Sequence, residues 1–297
     1  MNMFYKKTFS DWVFDFIVYS FVAVVLIVTL YPLIYVFSMS VSDPIEAARG
    51  HVFFLPVGFD LTALKTVLND DQIFRYYYNT LWYTLVGTVS AIVVTCLAAY
   101  PLSRPEFTHR SIFMKLIMFT MFFSGGMIPT FIVVSRFLNL YNTRSAIVLT
   151  SLSTAWYVTV ARSFFMSLPG EIIESARLDG ASEYRIFGQL VMPLSKPIVG
   201  VLALYNAVGH WNSYFPHMLY VAKQDLHPLA LYIRKVVLQN SLASMSEVSV
   251  EMTAEQILSA LQLKYAVILV SVVPMLLIYP FISKNLEKGL MIGAVKG

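Results

Sequence analysis

Pro169-Gly-Glu-Ile-Ile-Glu-Ser-Ala-Arg-Leu-Asp-Gly-Ala-Ser-Glu-Tyr-Arg-Ile-Phe-Gly-Gln-Leu-Val-Met-Pro-Leu-Ser-Lys-Pro197 is a polar, charged island between two long apolar runs. Two short helices are legible in it. The first is expected from about Glu171 to Leu178, with Glu171 and Glu174 in its opening turns, where the helix dipole favours negative charge. Gly180 suits the left-handed residue that closes such a helix, because it has no Cβ. Ser182 is placed to cap a second helix, and Pro193 is expected to end it. Tyr184, Phe187 and Val191 fall on one apolar stripe of that second helix. An exposed apolar stripe on a connecting segment implies a partner that covers it.

Outward from this island the chain is apolar. Of 297 residues, 58% are hydrophobic and 13% charged, and the mean hydropathy is +0.68. Soluble domains carry about 25% charged residues, so this is the composition of a chain that crosses a membrane several times. The expected class is an all-α membrane protein with one transmembrane domain over 1–297. Its six spans are placed at about 16–42, 76–103, 116–135, 145–161, 197–222 and 265–283. Residues 43–75 and 223–264 are the long external loops, 169–197 the internal loop, and 284–297 an internal tail. The first run is too long for a signal-peptide core and is read as a retained helix. Lys6 and Lys7 before it, and a small excess of Lys and Arg around the short connectors, place both termini in the cytoplasm. Tyr76, Tyr77, Tyr78, Trp82 and Tyr83 are expected as an aromatic belt at the outer end of the second span. Ser124-Gly-Gly-Met-Ile-Pro129 interrupts the third span, which is tolerated in a bilayer only against protein or water. A gate and a packing kink both fit that break.

Several chemistries are missing from the pattern. There is no Gly-x4-Gly-Lys-Ser/Thr phosphate loop and no Gly-x-Ser-x-Gly elbow. The single cysteine, Cys96, excludes an internal disulfide and reads as a buried thiol. His210 and His217, seven apart, could share a helix face, but no zinc-type spacing accompanies them. The net charge of +4 comes without a dense basic run, so nucleic acid is not an expected partner. Polar groups inside membrane runs are functional candidates because they are costly in hydrocarbon. Asn79, Asn206, Trp211 and Asn212 are these candidates: amides and an aromatic face suit a saccharide path, and interhelical hydrogen bonding suits the same residues. No Asp, Glu, Lys or Arg lies inside the six runs, which argues against ion or proton coupling.

Glu174-Ser175-Ala176, Asp179-Gly180 and, nine residues on, Leu190-Val191-Met192-Pro193 resemble the Glu-Ala-Ala loop of ABC importer permeases. The departures are Ser175 for alanine, Leu190 for isoleucine and Met192 for leucine. The likeness extends to Met121–Thr130, Leu138–Arg144 and Gly209–Pro216, which look like maltose-type sugar permeases, and more narrowly the branch serving complex oligosaccharides. Gly289–Gly297 is similar to the tail of the MalG-like half of such transporters, where the tail reaches the ATPase. The resemblance implies a type I importer in the bacterial inner membrane. It implies a second, different permease, two ATP-binding subunits that hold ATP and magnesium, an extracytoplasmic sugar-binding protein and a saccharide substrate. This chain itself would be no enzyme and would hold no cofactor. Glu174, Ser175, Ala176, Asp179, Gly180 and Pro193 would form the ATPase-coupling surface, with Glu174 paired to a basic group, Gly180 allowing the bend and Pro193 fixing the exit angle. A secondary transporter of a small polar solute is the alternative reading.

Overall fold

A backbone in hydrocarbon must satisfy its own N–H and C=O groups, so charge-free runs fold as helices. The computed structural model describes residues 8–245 and 261–277. Among them there is no strand, only an isolated bridge between Ser42 and Phe59. The chain forms two units, Met1–Asp70 with Val236–Val273 and Asp71–Lys235 with Pro274–Gly297.

In the first unit, α1 spans Phe9–Ser40. At 32 residues it is about 48 Å long, more than the hydrocarbon core of about 30 Å. Thr8 starts it, its N–H donating to Asp11 Oδ2 at 2.7 Å. The far end is built from polar side chains turned inward. Ser38 Oγ donates to the Phe54 carbonyl at 2.8 Å and Ser42 Oγ to the Ser38 carbonyl at 2.6 Å. Asp43 caps α2 (Pro44–Ala48), and α3 covers Thr62–Leu68. Gln262, on the apolar helix α15 (Leu261–Leu277), donates to the Ser42 carbonyl at 2.6 Å. Tyr35 and Tyr265 meet edge to face at 5.8 Å. The run expected at 265–283 is thus helical as far as residue 277, and 278–283 and the tail 284–297 lie outside the described residues, as do Lys6 and Lys7.

The second unit is arranged around α4 (Asp71–Ser103), about 50 Å long. The helices α8 (Ala155–Met166) and α12 (Lys196–Trp211) pack along it. Close approach is possible because small residues face the contact: Ala91, Ala99 and Ala161 are fully buried. Cys96 is buried in this core, as its apolar setting implied. Two arginines stitch the C-terminal ends of α4 and α8 reciprocally. Arg104 Nη2 donates to the Phe165 carbonyl at 2.9 Å, and Arg162 Nε to the Leu102 carbonyl at 2.8 Å. Each satisfies a helix-end carbonyl that lacks an intrahelical donor and places a cation where the dipole favours it.

The spans are less regular than the runs suggest. Among the described residues, only α1 and α4 are by themselves long and apolar enough to cross a membrane. The third run is α5 (Arg110–Phe122) and α6 (Met127–Ile132), which continues as a π turn over Val133–Phe137; the two halves bend by 113°. The break falls at Ser124–Gly126, with Gly126 at φ +85°. Pro129 lies in the first turn of α6, where its missing N–H costs nothing. The fourth run is interrupted as well, which was not expected: α7 (Arg144–Thr150) and α8 are separated by non-helical Ser151–Thr154. The fifth ends at Trp211 and resumes as α13 (Phe215–Tyr220), so His210 and His217 stand on different helices.

The aromatic belt needs correction. Tyr83 is 1% exposed and Tyr76 is buried, stacked on Tyr232 at 4.9 Å. Asn79 belongs to the same construction. Its Nδ2 donates to the carbonyls of Asp225 and His227 at 2.7 and 3.0 Å, and its Oδ1 accepts from Arg144 Nη2 at 2.7 Å. Thr80 Oγ1 accepts from the Leu229 N–H at 2.8 Å. These bonds tie the segment around the short 3-10 turn Gln224–Leu226, and the start of α14 (Leu229–Met245), to the N-terminal end of α4. Asn79→Ala leaves two carbonyls and a guanidinium without their partner, and buried groups so orphaned cost about 1–3 kcal/mol each. We expect a clearly lowered apparent melting temperature in detergent. An unchanged value would mean that water replaces the amide.

Candidate functional site

Pro169–Pro197 folds as a bent knob. The helix α9 (Gly170–Leu178) is anchored by Ile173, 4% exposed, and closes in a Schellman motif. The Gly180 N–H bonds the Arg177 carbonyl and the Ala181 N–H the Ala176 carbonyl, both at 3.0 Å, with Gly180 at φ +78°. Ala176 and Ala181 pack on the buried core, the apolar contact this motif favours. Ser182 Oγ accepts from the Arg185 N–H and starts α10 (Glu183–Ile186).

The second knob helix does not stop at Pro193. It runs on through a π turn at Phe187–Val191 into α11 (Met192–Leu194) and breaks at Ser195, turning by 78° into α12. A proline inside a helix collides with the carbonyl four residues back; the widened turn just before Pro193 makes room for it. The π turn also resets the apolar face. Ile186 and Val191, five apart, are both fully buried, while Tyr184 is 87% exposed. The expected stripe of Tyr184, Phe187 and Val191 is therefore split.

A charged chain ties the knob to α4. Arg177 Nε donates to Glu183 Oε1 at 2.9 Å, and Arg177 Nη1 is paired with Glu106 on the α4–α5 connector. The other Glu183 oxygen accepts from the Tyr100 hydroxyl at 2.8 Å. The hydrogen bond from Arg177 holds Glu106 below the usual carboxylate range, and the Arg177 guanidinium is correspondingly raised. Partly exposed pairs contribute at most about 1 kcal/mol, so this chain orients the knob more than it stabilises the fold. Arg177, Glu183 and Tyr100 were not singled out in the sequence, since their pairing spans helices and a connector.

The knob's outward surface is formed by Glu174, Ser175, Leu178, Asp179, Gly180 and Tyr184, all exposed, with Pro193 also exposed near the exit. Leu178 is 89% exposed. Leu178 and Tyr184 are thus two large apolar side chains held in the open on either side of a bend closed by the Schellman motif and the Ser182 cap.

The four polar path candidates separate. Asn79 lies in the clamp described above, both its amide hydrogens spent. Asn206 and Trp211 are buried on α12. Asn206 lines a cavity of about 270 Å³ with Thr150, Ser151, Thr154, Tyr157 and His210. Asn212 is exposed at the end of α12, its Nδ2 donating to the Val208 carbonyl at 3.0 Å.

Comparison with known proteins fits this geometry. The family of binding-protein-dependent transport system inner membrane components matches residues 91–292, a stretch containing the whole knob. The chain belongs to that family. This permease is 34% identical over 287 residues to the polygalacturonan/rhamnogalacturonan transport system permease protein YtcP of Bacillus subtilis, covering 96% of this chain and 98% of that one. It is 26% identical to the maltodextrin transport system permease protein MdxG of Bacillus subtilis, covering 94% and 95%. The crystal structure of a bacterial ABC transporter involved in the import of the acidic polysaccharide alginate contains a chain that superposes with a TM-score of 0.83. That chain is 31% identical, with coverage of 95% and 99%. This permease is thus an integral inner-membrane protein and not an enzyme. Membership sets aside the secondary-transporter reading, since transport here depends on a binding protein and on ATPase subunits.

Proposed function

We propose that this permease imports an oligosaccharide or polysaccharide as one half of a pore formed with a second, different permease. The named substrates of its relatives, polygalacturonan and rhamnogalacturonan, maltodextrin and alginate, support a saccharide. The chain crosses the membrane six times with both termini in the cytoplasm, the broken helices counting as spans. That topology puts the knob on the side where ATPase subunits work. An extracytoplasmic sugar-binding protein delivers the substrate to the opposite side. ATP and magnesium belong to the two ATP-binding partners, because this chain has no phosphate loop.

The coupling role is carried by one observation: Leu178 and Tyr184 protrude on either side of a bend that is capped internally by the Schellman motif and Ser182. Such a knob fits a helix-in-groove contact. Leu178 and Tyr184 fill the groove, Glu174 pairs with a basic group of the ATPase, and closure of the ATPase dimer on ATP draws the knob inward. The 78° elbow at Ser195 passes that displacement to α12. Replacing Leu178 by Asp and Tyr184 by Ala together removes the apolar contact without touching a buried side chain. Membrane level should be unchanged, the ATPase should no longer co-purify, and binding-protein-stimulated hydrolysis should fall more than tenfold. Retained co-purification and stimulation at the unaltered level would show that the ATPase docks elsewhere.

A further inference from the structure

The exposed face of α12 carries only one of the three residues that the polar-in-membrane rule points to on this stretch. Asn206 and Trp211 turn inward, and Tyr205, Gly209 and Asn212 turn outward. These three fall at i, i+4 and i+7, one stripe of the helix. Across from it, Trp156 on α8 is 43% exposed and meets Tyr205, 53% exposed, edge to face at 5.5 Å. Trp156 also touches the Tyr157 ring at 5.3 Å. Gly209 of this stripe and Tyr157 also line the 270 Å³ cavity, together with Thr150, Ser151, Thr154 and Ser213.

Two features set this wall apart from an ordinary lipid-facing surface. The first is the non-helical backbone at Ser151–Thr154, directly beside it, since open backbone at membrane depth occurs only against protein or water. That break is held in place: Ser153 Oγ lies 2.9 Å from Thr95 Oγ1 on α4, and Thr154 caps α8 by accepting from the Tyr157 N–H. The second is chemical. The wall presents aromatic rings, hydroxyls and an amide, and among the described residues no Asp, Glu, Lys or Arg lines the cavity.

We propose that Trp156, Tyr205 and Asn212, with the adjoining cavity lined by hydroxyl-bearing residues, form a saccharide subsite that reads pyranose ring faces and hydroxyl groups and is indifferent to a carboxylate on the sugar. The proposal rests on the saccharide reading above and sharpens it. Aromatic faces bind the apolar C–H face of a sugar ring, and the exposed amide can both donate and accept toward ring hydroxyls. With no Lys or Arg among the described residues that line it, this wall supplies grip along the path, and selection between acidic and neutral saccharides falls to the binding protein or the second permease.

The test uses the complete transporter in proteoliposomes. Cys96 is buried and gives little background. In the first arm, Tyr205→Cys and Asn212→Cys are treated with a membrane-impermeant maleimide, with Val24→Cys on exposed α1 as the lipid-facing comparison. Labelling of Tyr205→Cys and Asn212→Cys at least tenfold faster than Val24→Cys is expected; labelling no faster than Val24→Cys would overturn the subsite. In the second arm, uptake of oligogalacturonides and of their neutral methyl esters is measured. Trp156→Ala should raise the apparent KM at least fivefold for both probes while leaving their ratio unchanged, and Trp156→Phe should restore most of it. A loss confined to the acidic probe, or no change in KM, would overturn the proposal. Should the unaltered transporter import neither probe, galacturonides are not its substrate, and the labelling arm still decides whether the wall faces an aqueous path.

Discussion

Gly180→Asp should abolish coupled uptake while leaving the permease folded and in the membrane. Gly180 sits at φ +78°, where aspartate is among the better tolerated side chains and the strain is about 1–2 kcal/mol. A Cβ built there meets nothing within 4 Å, so no clash arises inside the subunit. What changes is the outward surface. A second carboxylate appears beside Asp179, at the bend between the two knob helices, in the contact proposed for the ATPase. Burying an unpaired charge there is far costlier than the backbone strain. ATP-driven uptake should fall at least tenfold at unchanged membrane level, and the basal hydrolysis of the ATPase should persist. Gly180→Asn carries the same backbone strain without the charge and should retain much of the uptake. Equal loss in both variants would place the effect in the bend itself, and undiminished uptake in Gly180→Asp would remove the knob from the coupling route.

The knob was legible because it obeys the rules of soluble helices. Its dipole-matched acids, the left-handed glycine and the Ser182 cap are local signals, each readable within four residues. The exit was misread for an equally local reason: Pro193 looks like a stop, but the π turn at Phe187–Val191 absorbs it, and nothing in the sequence announces a π turn. That extra residue also shifted the buried face from Tyr184 to Ile186. The membrane runs told less. Length and composition placed α1 and α4, yet the break at Ser151–Thr154 contains neither glycine nor proline and stayed hidden. Asn79 and Asn206 were flagged by the same cost argument, and the structure gives them different surroundings. Asn79 meets carbonyls about 146 residues away in sequence, a pairing no local pattern reveals. Asn206 borders a cavity, and the neighbouring aromatic pair, Trp156 and Tyr205, reads in the sequence as ordinary membrane-helix filling.

Gly87→Leu should be the most destabilising substitution in the second unit. Gly87 is buried on α4, and a Cβ added there would lie 2.4 Å from the His210 ring on α12. His210 is 6% exposed and can yield only toward the 270 Å³ cavity it lines, which would unseat its ring from α4. The α4–α12 contact is the most extensive between helices in this unit, and it holds because the glycine lets the imidazole sit against the bare backbone. Overpacking of this kind costs about 1–3 kcal/mol for small insertions, and a leucine inserts a whole branched side chain. The expected result is a large drop in apparent melting temperature and loss of the monodisperse species in detergent, with Gly87→Ala intermediate. His210→Ala should recover much of the loss when combined with Gly87→Leu, because it removes the ring that the new side chain meets. His210→Ala alone should cost less than Gly87→Leu, since it trades a clash for a void. A Gly87→Leu protein melting at the unaltered temperature would mean that α4 and α12 part without penalty, and that the rigid seating of α12, on which both the knob's elbow and the Tyr205–Asn212 wall depend, is not set by this contact.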